Sequence, residues 1–265
     1  MIKLAVAGAT GRMGQAIIRL VHNSNEMAVA AALEHEGSDA IGQDAGTLAG
    51  AGSIGVAVAT TVDADAFDVM VDFTTPAGTA NHVRICLDAG KAIVVGTTGM
   101  TADEKRVLAE AGAQIPLVLA ANTSVGVNLC VALVETASRV IGDVTDVEII
   151  EAHHKHKVDA PSGTALLLGE AAARTLGKSL PGDGVFCRQG QTGPRPEGSI
   201  GFSTIRGGDI AGEHTVMFIG ESERIEITHR ATDRKIFAMG ALRAVTWLAT
   251  QGPGFYDMGD VLHLK

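Results

Sequence analysis

Aromatic side chains are scarce in this chain, with one Trp, one Tyr and seven Phe among 265 residues. That argues against a core of stacked rings. The 46% of hydrophobic residues must come chiefly from Ala, Val, Ile and Leu, and the 33 glycines imply many tight turns. Cysteine is equally sparse. Cys86, Cys130 and Cys187 are odd in number and widely spaced, with no CxxC pair, so neither a disulfide framework nor a zinc site is indicated. Cys86 and Cys130 sit in apolar helical patterns and read as core thiols. There is no excess of positive charge. Lys and Arg total 21 against 30 Asp and Glu, a net charge of −9, which argues against a general nucleic-acid binder but leaves room for a local basic pocket. No apolar run reaches the ~18 residues of a membrane span, and Met1 leads at once into a strand-like run rather than a charged and apolar leader. The expectation is a soluble, cytoplasmic protein.

What is present is a clear change of pattern along the chain. Through the first 120 residues, short apolar runs alternate with helical periods. Strands are expected at 2–7, 28–33, 69–73, 92–95 and 117–120, and helices at 11–21, 76–89 and 101–113. Pro76 suits a helix start and Gly90 the position past its end, and Thr101 with Glu104 has the form of a capping box. Alternating β and α elements imply a parallel sheet covered on both faces. After about residue 124 the order changes to a helix (127–141), a strand (146–152), a His/Lys segment and a helix (162–176). A long Gly- and Pro-rich loop (178–197) follows, then three β-like runs (199–206, 213–219 and 224–229) expected to pair antiparallel. An amphipathic helix (233–250) comes last.

Gly8-Ala-Thr-Gly11-Arg-Met-Gly14 follows the first strand and opens the first helix. Its G-x-x-G-x-x-G spacing is a variant of the dinucleotide fingerprint. Glycines let the backbone approach a pyrophosphate, and amides at the helix start favour its charge. Glu34, twenty residues beyond Gly14, stands where an acid binds the adenine ribose hydroxyls. His35 and Arg12 are the cations that could meet a 2′-phosphate. Two further loops, Gly96-Thr-Thr-Gly99 and Ala120-Ala-Asn-Thr123, end later strands, where ligands bind in open α/β sheets.

The segment from Glu151 to Thr164 carries the other chemistry. Every residue from His153 to Lys157 is His or Lys, and Pro161-Ser-Gly-Thr164 can start a helix. Three explanations compete. A metal site is disfavoured because neighbouring residues on a strand point to opposite faces and lysines repel a cation. A solvated charged loop is the plain alternative. An anion-binding acid/base site uses every residue type present, because His titrates near neutral pH and both Lys and helix amides pair with carboxylates.

The run Glu151-Ala-His-His-Lys-His-Lys-Val-Asp-Ala-Pro-Ser-Gly-Thr164 closely resembles the signature of the 4-hydroxy-tetrahydrodipicolinate (dihydrodipicolinate) reductase family. Asp72-Phe-Thr74, Gly96 to Gly99, Ala121-Asn122 with Ser124 to Asn128, and Gly207-Gly-Asp209 with Gly212-Glu-His214 are similar to further family blocks in the same order. The resemblance implies an α/β fold: a Rossmann-like dinucleotide-binding domain (1–124 and 233–265) and an α+β substrate and oligomerisation domain (125–232) with a mixed, largely antiparallel sheet. It implies that His153 and Lys157 handle protons and that His154, Gly163 and Thr164 bind substrate. Cofactor contacts would come from Gly8, Ala9, Thr10, Gly11, Arg12, Met13, Glu34, Gly96, Thr97, Thr98, Ala120, Ala121, Asn122 and Thr123. The implied activity is reduction of a cyclic imine dicarboxylate by NADH or NADPH with loss of water, on the diaminopimelate route to lysine, in a homotetramer. No metal, nucleic acid or membrane partner is expected.

The chain departs from the family at three positions. Thr123 stands where many members have Phe beside the nicotinamide, and His35 and Thr75 where many have Arg. NADH is therefore expected to serve at least as well as NADPH. Another amino-acid oxidoreductase, or a silent nicotinamide sensor, are the alternatives, though a sensor would have no use for His153, His154 and Lys157 together. His22 and His82 read as structural. His214 and His229 are left open between the substrate cleft and a subunit interface, and Arg206 and Arg230 between a solvated strand face and an interface or substrate carboxylate.

Overall fold

The computed structural model describes residues 1–265. In chain order the elements are β1 (Ile2–Ala7), α1 (Arg12–His22), β2 (Met27–Leu33), α2 (Ala45–Ala49), β3 (Val58–Ala59), β4 (Val69–Asp72), α3 (Pro76–Ala89), β5 (Ala92–Val95), α4 (Ala102–Gly112) and β6 (Pro116–Leu119). Then come α5 (Val125–Ile141), β7 (Asp146–His153), α6 (Gly163–Thr175), α7 (Leu180–Asp183), β8 (Gly184–Val185), β9 (Ile200–Arg206), β10 (Gly212–Ile219) and β11 (Arg224–Ala231). The chain closes with α8 (Lys235–Leu248), β12 (Gly254–Tyr256) and α9 (Met258–Val261). It divides into two compact units, Met1–Val125 with Lys235–Lys265, and Gly126–Arg234.

The first unit holds a seven-stranded sheet ordered β12-β6-β5-β4-β1-β2-β3, with every seam parallel. This is the doubly wound order, which reverses direction at β1 and β4. Strand alternation sends Leu4, Val6, Val69, Val71 and Val94 to one face, where Ile17, Ala241 and Leu248 cover them. Ala5, Ala7, Met70, Ile93 and Val95 line the other face with Val83 and Leu108. Both faces are buried, so these strands read as continuous apolar runs rather than alternating ones. The helix signals act as expected. Thr75 caps α3 by accepting from the Gly78 amide, with Pro76 in the first turn and Gly90 left-handed at its end. Thr101 and Glu104 form a reciprocal capping box. The edge strands β3 and β12 were not anticipated, because two or three residues carry no period to recognise.

The second unit is built on a five-stranded mixed sheet ordered β11-β10-β7-β9-β8. Here the sequence expectation needs correcting. Only β10 and β11 pair as consecutive antiparallel strands. β9 lies parallel to β7, and β10 is antiparallel to β7 on its other side. Turn residues mark where strands end but not which strand each joins. The 178–197 segment is also not a continuous loop. It contains α7, started by Pro181 in its first turn, and the two-residue β8, which pairs with β9. Arg188 and Arg195 then tie the rest of the segment to Glu148. Val147, Ile149, Leu168, Phe202, Val216 and Phe218 form this unit's core.

Candidate active site

In the first unit, the predicted cofactor residues gather beyond the C-terminal ends of β1, β2, β5 and β6. Gly8 has φ +73°, a conformation that favours glycine. A Cβ on Gly14 would lie 2.2 Å from the Gly8 carbonyl oxygen, so only glycine lets the loop close onto α1. Gly11 is the N-cap of α1 and no side chain caps the helix, which leaves its first turn suited to a phosphate. The cradle therefore fits a dinucleotide. Met13 turns its side chain towards the core, while that of Arg12 is exposed.

Glu34 is tied back to this loop. Its Oε2 accepts from the Thr10 amide at 3.2 Å and from the Thr10 hydroxyl at 2.6 Å. Its Oε1 accepts from the His35 amide at 3.1 Å. Burial works to raise its pKa, but these hydrogen bonds from Thr10 and His35 hold it below the ordinary carboxylate range. The His35 ring is 73% exposed, with Nδ1 on the Glu36 carbonyl.

Asp72, fully buried at the end of β4, organises the neighbouring loops. Its Oδ1 accepts from the Thr74 amide (2.9 Å) and hydroxyl (2.6 Å), and its Oδ2 pairs with His82 Nδ1 at 3.1 Å. Thr97 accepts from the Thr74 amide and the Thr79 hydroxyl. Gly96 lies against the Phe73 ring, 2.0 Å from where a Cβ would stand. The side chain of Thr97 thus faces the scaffold, and Thr98 is exposed. Thr123 is buried, with its hydroxyl donating to the Phe237 carbonyl at 2.7 Å. It is this residue's backbone, with exposed Ala121 and half-buried Asn122, that remains to border a ligand. Ala120 is buried, its amide bonded to the Val95 carbonyl.

In the second unit, β7 presents Val147, Ile149, Glu151 and His153 on one buried face. Apolar residues give way to an acid and a base at the strand's end. Glu151 is 1% exposed. Its carboxylate accepts two bonds from Arg206, at 2.8 and 2.7 Å, one from His153 Nδ1 at 2.6 Å and one from the Ser162 amide at 3.1 Å. Burial alone would raise its pKa, yet the bonds from Arg206 and His153 bring it below the usual value. Arg206 is therefore neither a solvated strand residue nor a free carboxylate ligand. Ser162 caps α6 through the Ala165 amide, and its hydroxyl meets His214 Nε2 at 2.8 Å. His214 is buried and packs edge-on against His153, with ring centroids 5.1 Å apart. Desolvation, helped by the neighbouring His153, pushes its pKa down to about 4.

The rest of the segment turns outward. His154 lies half-buried with Nε2 3.0 Å from Arg234, and desolvation with that guanidinium lowers its pKa. His154, Lys155, His156 and Arg234 line a cavity of about 570 Å³ together with Gly208, Asp209 and Ala211. Lys157 donates to Asp159 at 2.8 Å. Gly163 and Thr164 form the first turn of α6. Sequence reasoning gave no role to Glu151, Ser162 or Asp72. The signal for Glu151 was its place two residues before His153 on a strand, which puts both side chains on one face.

Residues 2–123 match the family profile "Dihydrodipicolinate reductase, N-terminus", and residues 126–262 match "Dihydrodipicolinate reductase, C-terminus". The chain is 55% identical over 263 residues to a 4-hydroxy-tetrahydrodipicolinate reductase of Acinetobacter baylyi, covering 98% of this chain and 96% of that one. It is 54% identical over 266 residues to the enzyme of the same name from Acinetobacter baumannii, covering 99% and 97%. Among solved structures, its fold resembles that of a dipicolinate-bound dihydrodipicolinate reductase from Paenisporosarcina sp. TG-14. The TM-score is 0.77 at 23% identity, with 97% of each chain covered.

Proposed function

This chain belongs to the dihydrodipicolinate reductase family, and we infer from that premise how its residues divide the reaction. It is an NAD(P)H-dependent oxidoreductase that converts 4-hydroxy-tetrahydrodipicolinate to tetrahydrodipicolinate in the diaminopimelate route to lysine. The reaction loses the ring hydroxyl as water, gains one hydride and takes up one proton. The observation that carries the division of labour is His153 held on the buried Glu151 carboxylate, in the same short segment that supplies a cation-lined cavity.

The cofactor, when bound, supplies the hydride. The amides of Gly8 to Met13 hold its pyrophosphate, Glu34 its adenine ribose, and the backbone of Gly96 to Thr98 and Ala120 to Thr123 its nicotinamide half. His153 and Lys157 supply the proton that balances hydride addition. His154, Gly163 and Thr164 orient the two substrate carboxylates through hydrogen bonds and helix-start amides. NADH serves at least as well as NADPH. An ionised Glu34 opposes a 2′-phosphate, His35 points into solvent, and the Thr75 hydroxyl is engaged in capping α3.

Assembly as a homotetramer through the sheet of the second unit belongs to the same proposal. β11 is an edge strand of that sheet with Ile225 44% exposed, and Ile205 on β9 is 51% exposed. A cytoplasmic location, beside the reduced nicotinamide pool, belongs to it too. No helix is long and apolar enough to cross a membrane. The test supplies aspartate semialdehyde, pyruvate and the preceding synthase, adds this protein and follows nicotinamide absorbance. Oxidation of NADH or NADPH is expected, and its absence refutes the function. Light scattering tests the tetramer.

A further inference from the structure

Four polar residues in the second unit have no assigned part in the proton transfer: Glu151 and His214 touch His153, and Arg206 and Ser162 bond to Glu151. Apart from the His153 ring, the groups bonded to the Glu151 carboxylate are donors: the Arg206 guanidinium at both oxygens, the Ser162 amide and, at 3.4 Å, the Thr204 hydroxyl. A carboxylate that accepts from a guanidinium at both oxygens and from an amide is ionised and has no proton to offer the imidazole. The His153 nitrogen that faces it, Nδ1, must therefore carry the hydrogen. Nε2 is left as the one ring atom able to give or take a proton at a substrate. A Cβ on Gly212 would stand 3.0 Å from Nε2, so glycine at that position keeps the space beside it clear. The His214 ring closes off another side, edge-on at 72°.

We propose that Glu151 is a positioning residue for proton transfer. It fixes the tautomer and direction of His153, Arg206 keeps it ionised, and the Ser162 amide couples it to the start of α6. This rests on the reductase reading for what the proton transfer accomplishes. The arrangement differs from an ion pair kept for stability. An apolar side chain would fill the β7 position at comparable or lower cost, as Val147 and Ile149 do four and two residues earlier on the same face. The sheet register makes the cluster. Arg206 stands opposite His153 on β9, and His214 opposite Glu151 on β10. The charged and titratable groups around the His153–Glu151 pair are thus Arg206 from β9, His214 from β10, and Lys157 with Asp159 from the turn after β7.

The experiment compares Glu151→Gln and Glu151→Asp with the parent chain in the coupled reductase assay. A glutamine has one acceptor oxygen where the carboxylate has two, so its NH2 must face either the donors at Oε1 or those at Oε2, which removes the charge and disturbs the tautomer with little change of volume. Glu151→Gln is expected to lower kcat by about 10²–10⁴-fold, as in other His–carboxylate pairs, with the Kd for NADH within about twofold of the parent. The alkaline limb of its pH–rate profile, where the proton donor is lost, moves to lower pH, because the imidazolium loses its counter-charge. Glu151→Asp recovers part of the rate. A merely structural role would lower the melting temperature and leave the pH profile in place, and that result overturns the proposal. Ring-nitrogen NMR of the unmodified protein at mildly alkaline pH gives a second arm that needs no variant to fold. Hydrogen on His153 Nδ1 is expected, and hydrogen on Nε2 overturns the proposal even if the reductase assay succeeds. An inactive parent chain refutes the reductase reading instead, and the NMR arm still decides the tautomer.

Discussion

Acidification should loosen the second unit through His214. Its ring is 4% exposed and lies against Ser162 and His153. Burial first, and the charge of His153 second, push its pKa from 6.5 to about 4, with the opposing charge of Glu151 too weak to restore it. An unfolded chain takes up this proton near pH 6.5 and the folded one only near 4. In that window the unfolded state binds more protons, so stability falls as pH drops from about 6.5 through about 4 and is fully present above. The displacement corresponds to roughly 3 kcal/mol in all, with a limiting slope of ~1.4 kcal/mol per pH unit. Glu148 and Glu151, whose pKa values are lowered in the folded state, lose their contributions only below about pH 4.5. His229, also lowered by burial, shares the His214 window, so the quantity to measure is a difference between the parent and His214→Gln. The lone Trp247 lies on α8 in the first unit and does not report on this region. Hydrogen exchange of the β10 amides, corrected for intrinsic rates between about pH 5 and 7.5, reads the opening free energy directly. The parent should lose stability steeply below about pH 6.5 and His214→Gln markedly less so. Identical slopes in the two proteins would refute the argument.

Other outcomes follow from single contacts. A Cβ on Gly240 would lie 1.7 Å from the Thr123 carbonyl oxygen, and backbone cannot yield as a side chain can. Gly240→Ala should cost about 3 kcal/mol, at the upper end of overpacking, seen as an earlier Trp247 fluorescence transition on heating; an unchanged midpoint would sink this reading of the contact. His35→Arg should raise kcat/KM for NADPH about tenfold, equivalent to ~1.4 kcal/mol, with little change for NADH. A large NADPH preference in the parent chain at neutral pH would contradict the cofactor assignment. Lys157→Ala should lower kcat by about a hundredfold and weaken substrate affinity while the Kd for NADH holds; equal turnover would remove Lys157 from the site.

Much of the scaffold was legible because its signals are local. β1, α3 and β5 lie where apolar period and caps placed them, since a helix start such as Thr75-Pro76 is decided within one turn. The glycine loop was legible for the same reason, because its backbone demands lie between Gly8 and Gly14. The His153–Lys157 run stood out by composition, but its internal division did not. His153 is buried and His154 faces Arg234 because β7 ends between them.

Composition, period and spacing by themselves determined the alternating β/α order of the first unit, the α+β character of the second, the dinucleotide loop and the segment that carries the acid/base groups. Only the tertiary structure decided what those groups face. Glu151 meets Arg206 from fifty-five residues away, and Ser162 meets His214 from fifty-two. Both contacts exist because β7 takes the place between β9 and β10. Strand hydrogen bonds are the same whichever neighbour makes them, so strand order is set by how the whole sheet buries its apolar face. Thr123 shows the same limit from the other side. Nothing near it in sequence says that α8 will return to cover it and accept its hydroxyl.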